Sequence, residues 1–226
     1  MSKITLLRKA PLFSRLSDSE LESLANNLHM RTFAKGMVIF HEGSLGQNLY
    51  MIDSGKVRIF FLSESGQEVT LNFYGAGECF GELSLLDGLP RSAGAMAIEK
   101  TVTYTLHRDD FHSNLEAYPN LALSILQELS RRLRYTSHYA ASLALMDVYG
   151  RVAAKLLELA DRYGMQDEPI AIKLHLTQTE LATWVATSRE SINKVLRGFR
   201  DQGFIQIEGG TIKILNKREL EKLARF

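Results

Sequence analysis

Between about residue 30 and residue 108 the chain alternates short apolar runs with glycine-bearing turns. The runs MVIF, NLYMI, KVRIFFL, EVTLNFY and TVTYTL are separated by Gly36, Gly43, Gly46, Gly55, Gly66 and Gly75. Many short strands at regular spacing predict a compact barrel or jelly roll. Upstream, Leu16-Ser17-Asp18-Ser19-Glu20-Leu21 reads as a helix start: Ser17 and Glu20 have capping-box spacing, and Leu16 and Leu21 suit a hydrophobic staple. The segment 81–87 breaks the strand texture and suits a short helix inside a loop.

A long helical pattern begins near Pro119 and runs to about Met146. Leu126, Leu129, Leu133, Thr136, Ala140 and Leu143 recur along it at alternating three- and four-residue steps, a heptad seam. Such a seam predicts pairing with a second copy of the same helix; packing on the chain's own barrel is the alternative. Asp147 is placed to cap a further helix, Val148 to about Tyr163, followed by a polar break from Gly164 to Pro169. Two short helices come next, with Leu181, Val185, Ile192 and Val195 spaced as a small core. Phe204 to Ile207 and Thr211 to Leu215 then alternate around Gly209-Gly210, a hairpin or wing. Asn216 and Glu219 suit the cap of a terminal helix over Lys217 to Phe226. The fold class is α+β, with a β-rich domain over 1–118, a pairing helix over 119–146 and a winged helical domain over 147–226.

Composition narrows the class without naming a partner. The chain has 226 residues, 45% hydrophobic, 23% charged and 9% aromatic, with a net charge of +1 that points to neither nucleic acid nor membrane. Cys79 is the single cysteine, which excludes an intrachain disulfide and any four-cysteine metal or iron–sulfur site. The apolar patch at the start, MSKITLLRKAPLF, is too short for a signal peptide and no long apolar run follows, so a cytoplasmic protein without membrane association is expected.

Two segments carry candidate chemistry. The first is Gly81-Glu82-Leu83-Ser84 followed by Pro90-Arg91-Ser92-Ala93. A cyclic phosphodiester presents one negative charge and two non-bridging oxygens, which an arginine fork meets better than a lysine point charge. Arg91 suits that task; Ser92 adds a hydroxyl or a backbone N–H, and backbone donors from Gly81 to Ser84 help hold the anion. Glu82 is an acceptor suited to a ribose hydroxyl. Gly81 permits close approach, and Pro90 stiffens the turn before Arg91. On residue types alone, a solvated surface or a structural Glu82–Arg91 ion pair fits as well. Glu82 has no nucleophile, metal cluster or second carboxylate for company, so the chain is not expected to be an enzyme.

The second segment begins at Thr177, whose capping box with Glu180 opens the first short helix. Ala186-Thr187-Ser188 fits a turn, and the next helix presents Ser188, Arg189, Glu190, Asn193 and Lys194 outward. Arg and Lys donate to guanine O6 and N7, Glu accepts from cytosine N4, and Ser or Asn meets base edges or phosphates. With Thr177, these form the candidate DNA-binding set. A charged helical face is more often merely solvated, but a helix–turn–helix with a wing favours DNA.

The stretch Phe80 to Ala93 resembles the phosphate-binding cassette of cyclic-nucleotide-binding domains, and Leu181 to Leu196 resembles the helix–turn–helix of the catabolite-activator and fumarate–nitrate regulator family. The likeness spans roughly residues 8 to 215. It implies a jelly-roll sensor, a dimerisation helix and a winged helix–turn–helix. It further implies a site of Gly81, Glu82, Leu83, Ser84, Arg91 and Ser92, with Glu82 on the ribose 2′-hydroxyl and Arg91 and Ser92 on the cyclic phosphate. Arg131-Arg132-Leu133-Arg134-Tyr135-Thr136-Ser137 is similar to the stretch that reads the purine base in cyclic-AMP-responsive members. Thr136 would bond the base within its own subunit and Ser137 would reach across from the partner. Arg189 and Glu190 fall where those members read a TGTGA half-site, and Lys194 takes a third reading position. Ala186 stands where glycine is common in the family's turn; a near-helical backbone there is expected to accommodate alanine.

The resemblance implies cyclic AMP as allosteric ligand, double-stranded DNA, a second copy of the chain and RNA polymerase as partners, and neither metal nor haem. His107, His112 and His138 read as ordinary surface or packing residues. Gating by cyclic GMP or cyclic di-GMP, ligand-independent binding, and action of a messenger-binding protein through a protein partner are the alternatives.

Overall fold

The computed structural model describes residues 2–163, 170–173 and 177–225. It resolves into two compact units, Met1–Arg134 and Tyr135–Phe226.

The first unit opens with α1 (Lys3–Lys9) and α2 (Asp18–Asn26). The expected capping box is present on α2: the Ser17 hydroxyl accepts from the Glu20 N–H, and the Glu20 carboxylate accepts from the Ser17 N–H at 2.6 Å. Leu16 and Leu21 are both buried, as a staple requires. The strands are β1 (His29–Phe33), β2 (Val38–Phe40), β3 (Asn48–Ser54), β4 (Val57–Leu62), β5 (Glu68–Tyr74), β6 (Cys79–Phe80), β7 (Gly94–Ala97) and β8 (Thr101–His107). They form two four-stranded antiparallel sheets, ordered β1-β8-β3-β6 and β2-β7-β4-β5. This is the jelly roll that the sequence predicts.

Strand β3 explains the unbroken apolar run NLYMI. Successive side chains point to opposite faces, and here both faces are covered. Leu49 and Met51 join Leu6, Phe13, Leu24 and Phe111 in a core between sheet and helices. Tyr50 and Ile52 point the other way, toward Phe40, Val57, Phe80 and Ala95 between the sheets. Between β6 and β7 lies α3 (Leu83–Leu86), the short helix expected inside the loop. After β8 come α4 (Arg108–Ala117) and the 27-residue α5 (Pro119–Leu145). Proline at the first helical position costs α5 no hydrogen bond. Leu121, Ser124, Ile125 and Glu128 are its buried residues, and the division between the units falls within this helix.

In the second unit, α6 (Val148–Tyr163) is capped by Asp147, whose carboxylate accepts the Gly150 N–H at 2.8 Å. Then follow β9 (Ile170–Lys173), α7 (Gln178–Trp184), α8 (Arg189–Asp201), β10 (Ile205–Glu208), β11 (Thr211–Ile214) and α9 (Lys217–Leu223). The wing has a third strand that the sequence pattern did not reveal: β9 pairs with β11, giving the order β10-β11-β9. Gly209 and Gly210 both have positive φ, +53° and +79°, as a two-residue hairpin turn demands. Asn216 caps α9 as expected. The polar break at 164–169 lies outside the described residues.

One expectation fails in the turn of the helix–turn–helix. Ala186 has φ +51°. It occupies the left-handed region rather than a near-helical one. There a Cβ crowds the neighbouring carbonyl, and only glycine sits at no cost.

Candidate functional site

Arg91 is the centre of the first site. It is 4% exposed. One terminal nitrogen, Nη1, donates to the Gly81 carbonyl at 2.5 Å and to Ser84 Oγ at 3.1 Å, while Nη2 donates to the Asn48 carbonyl at 2.7 Å. The guanidinium carbon lies 4.3 Å from the Phe40 ring centroid. Two glycines make room for this fork. A Cβ on Gly81 would stand 2.7 Å from Arg91 Nη1, and one on Gly46 would run into the Ser84 side chain. Gly81 also has φ +83°, which carries the chain from β6 into α3. Arg108 holds α3 from its other side, donating to the Ser84 carbonyl at 2.5 Å.

Arg58 pairs with Glu68 and Arg132 pairs with Glu82 and Glu128, but among the described residues no carboxylate forms an ion pair with Arg91. Its Nε is buried without a hydrogen-bond partner. Burial lowers its pKa, the nearby Tyr50 and Glu82 oppose that shift, and Arg108 adds to it. A desolvated cation held on carbonyl oxygens and aromatic faces is a seat for an anion.

Glu82, 3% exposed, does not form the ion pair with Arg91 that sequence left open. Its Oε1 accepts from Arg132 Nη1 at 2.9 Å, and its Oε2 is buried with no partner. Arg132 reaches back from α5, also donating to the Cys79 carbonyl at 2.7 Å and to Glu128 Oε1 at 2.7 Å, with its guanidinium 4.9 Å from the Tyr74 ring centroid. Burial works against this charge. Glu82, Tyr74 and Glu128 outweigh burial and raise the pKa of Arg132 above the ordinary arginine value. Glu128 also takes two hydrogen bonds from Arg131, at 2.7 and 2.8 Å. Burial alone would push its carboxyl up, but the Arg131 and Arg132 hydrogen bonds bring it below the usual glutamate value.

Of the cassette residues read from sequence, Ser84 is buried beside Arg91, whereas the side chains of Leu83 and Ser92 are exposed. Asn48, Gly46, Phe40, Arg132 and Glu128 were not singled out. Asn48, Gly46 and Phe40 belong to remote strands and turns, and nothing in their spacing ties them to Arg91. Arg132 had a local cue in the paired arginines before Leu133, but its partner Glu82 lies fifty residues away.

Thr136 and Ser137 are exposed on α5, in the second unit. Neither hydroxyl bonds back to its own helix, unlike Ser130, which donates to the Leu126 carbonyl, and Ser142, which donates to that of Tyr139. Along the seam, Leu126 and Leu133 are 60% and 68% exposed, Leu143, Thr136 and Ala140 are also exposed, and Leu129 packs partly on the core of the first unit.

The second site is α8. Ser188 is its N-cap, accepting the Ser191 N–H at 3.1 Å, so part of its hydrogen-bonding capacity is spent at home. Ile192, Val195, Leu196 and Phe199 bury one face; with Leu181 and Val185 they make the expected core. The other face leaves Arg189, Glu190 and Lys194 exposed and Asn193 half-buried. None of those charged residues has an ion-pair partner among the described residues. Arg197, three positions beyond Lys194, is exposed too. Helical arithmetic from Lys194 would have found it. Thr177 caps α7 in the expected box with Glu180 and is exposed. Beneath the turn, Arg151 donates to the Val185 and Met146 carbonyls, each at 3.0 Å.

The model of the cyclic nucleotide-binding domain matches residues 30–118, and that of the Crp-like helix–turn–helix domain matches residues 150–223. The chain belongs to the Crp family of transcription regulators. It is 37% identical to the CRP-like cAMP-activated global transcriptional regulator of Mycobacterium tuberculosis over 221 residues, 97% of this chain and 99% of that one. The crystal structure of the Thermus thermophilus catabolite activator protein matches with a TM-score of 0.56 at 35% identity, covering 95% of this chain and 98% of that one. The c-di-GMP responsive global regulator CLP of Xanthomonas campestris shares the fold, with a TM-score of 0.76 at 24% identity over 88% of this chain and 99% of that one. Members of this family regulate transcription rather than catalyse reactions. Among the described residues, no helix is long and apolar enough to cross a membrane.

Proposed function

We propose that this regulator is gated by cyclic AMP and binds, as a homodimer, a palindromic operator with TGTGA-like half-sites. The observation that carries the ligand half is Arg91, a buried guanidinium with no carboxylate partner among the described residues, next to a buried Glu82 with one oxygen unpartnered among them. A cyclic phosphate supplies the missing charge to Arg91, assisted by Ser84 and Ser92, and a ribose hydroxyl supplies a donor to Glu82. Gly81 and Leu83 complete the cassette. Thr136 and Ser137, with hydroxyls not spent on their own helix, read the base, one from each subunit. Leu126, Leu129, Leu133, Thr136, Ala140 and Leu143 form the seam between subunits. Thr177, Ser188, Arg189, Glu190, Asn193 and Lys194 meet DNA, with recognition helices about 34 Å apart in successive major grooves. Ligand favours the arrangement competent for DNA by binding it better than the other. RNA polymerase is the further partner, and the protein works in the cytoplasm.

Fluorescence anisotropy on a duplex with two TGTGA-like half-sites, at fixed salt, tests this reading with no ligand, cyclic AMP, cyclic GMP or cyclic di-GMP. Tight binding with cyclic AMP alone is expected. Equal binding in all four conditions would refute the gating.

A further inference from the structure

Lys155 is buried in the second unit, 6% exposed. A lysine on a helix ordinarily extends its stem so that the ammonium reaches water. This one turns inward. Its Nζ donates to the Tyr135 hydroxyl at 3.0 Å and to Glu158 Oε2 at 2.6 Å. It also lies 4.1 Å from the Trp184 ring centroid and 5.3 Å from that of Tyr135. Three helices meet on this cation: Tyr135 belongs to α5, Lys155 and Glu158 to α6, and Trp184 to the last turn of α7. The carboxylate alone would offset the charge from within α6. The two rings add attraction from the helices on either side, and a desolvated cation binds aromatic faces strongly.

Trp184 directly precedes the turn that leads into α8, and it is 1% exposed. Through Trp184, the buried cation is tied to the start of that turn. Arg151, one turn earlier than Lys155 on α6, makes a parallel connection through backbone carbonyls at Met146 and Val185. We propose that Lys155 is a positioning residue whose buried ammonium clasps α5 to the helix–turn–helix, setting how the recognition helix is carried on the seam helix. The inference rests on the reading of the chain as a dimer on a two-half-site operator. A dimer gains from its second half-site only if both recognition helices are held at the matching spacing.

The test uses the full chain and two variants. Tyr135→Phe removes the hydroxyl and keeps the ring; Lys155→Met removes the charge and keeps an unbranched stem. Trp184 is the single tryptophan, so its emission reports directly whether the clasp is broken, and a changed emission spectrum is expected in Lys155→Met. In saturating cyclic AMP, affinity is measured for a two-half-site duplex and for a single half-site. The wild type should prefer the former. Both variants should lose at least about 5-fold of that preference, the lower end of ordinary coupling between sites, with half-site affinity held within about 2-fold. A preference that both variants keep overturns the clasp alone, and Tyr135→Phe decides if Lys155→Met does not fold. A wild type without the preference overturns the dimer reading and the clasp's role with it.

Discussion

Arg91 is buried and Arg132 half-buried, and their surroundings assign them opposite duties. Arg132 is neutralised by Glu82 and Glu128. Removing it would strand the buried Glu82 carboxylate and leave Glu128 to Arg131 alone, so Arg132→Ala should destabilise the first unit by about 3–5 kcal/mol, read from urea unfolding. Arg91 pairs with no carboxylate among the described residues, and the cost of burying its charge offsets its three hydrogen bonds, so Arg91→Ala should destabilise the unit less than Arg132→Ala does. Arg91→Ala should also weaken cyclic AMP binding by about 1.5–3 kcal/mol, the scale of a charged hydrogen bond, as measured by calorimetry. Equal losses of stability in the two variants would contradict this division. Glu128 adds a pH dependence. Its folded carboxyl titrates below the usual value, so the stability it contributes is present above the unfolded value of about 4.3 and disappears as pH falls through the folded value. Glu128→Gln should flatten that acid limb of an unfolding profile. At Ala186 the left-handed backbone costs about 1–2 kcal/mol. Because glycine also gives up more chain entropy on folding, Ala186→Gly should stabilise the second unit by about 0.5–1 kcal/mol, visible as a rise of a few degrees in Tm. Sequence could name Ala186 as the turn residue, but φ is set by how α7 and α8 pack, and no local pattern shows it.

At the scale of elements, α5 and α8 each have one face used and one face left over. On α5, Leu126 and Leu133 are exposed where a self-packed helix would bury them. Leu133→Asp should therefore leave the fold intact and shift sedimentation from dimer to monomer, because a carboxylate in an apolar seam is expensive to desolvate. A dimer that survives this change would place the interface elsewhere. On α8, Arg189, Lys194 and Arg197 have no ion pairs among the described residues. Arg197→Gln should weaken DNA binding evenly across sequences and lower the salt slope by about 1, the signature of a phosphate contact. A change in base preference would instead make Arg197 a reader. Capping boxes, the long helix and the wing turn were legible because each is a matter of spacing within a few residues. Strand β9 was not, because four residues isolated between a polar break and a helix acquire their meaning only from pairing with β11.

For the whole molecule, the net charge of +1 gives no general attraction to DNA. Binding has to come from the local surface of α8 and its surroundings and, on the proposed reading, from two copies acting together. Inserting about 5 bp, half a helical turn, between the half-sites turns them to opposite faces of the duplex. The preference that the proposed dimer would have for the paired operator should then vanish in a mobility-shift titration. A preference that persisted would mean that each copy binds alone.

The sequence by itself determined the order of most elements, the jelly roll and the helix–turn–helix, and it singled out Glu82 and Arg91 as candidates. Hydrophobic period, glycine turns and capping spacings act over short range, and the cassette is nearly contiguous. Only the tertiary structure decided what these residues face. Pairing Glu82 with Arg132 joins positions fifty apart. That no described carboxylate pairs with Arg91 is a property of everything packed around it. The inward turn of Lys155 depends on two rings from neighbouring helices. Burial and long-range partners set the electrostatics of a site, and they exist only once the chain has closed on itself.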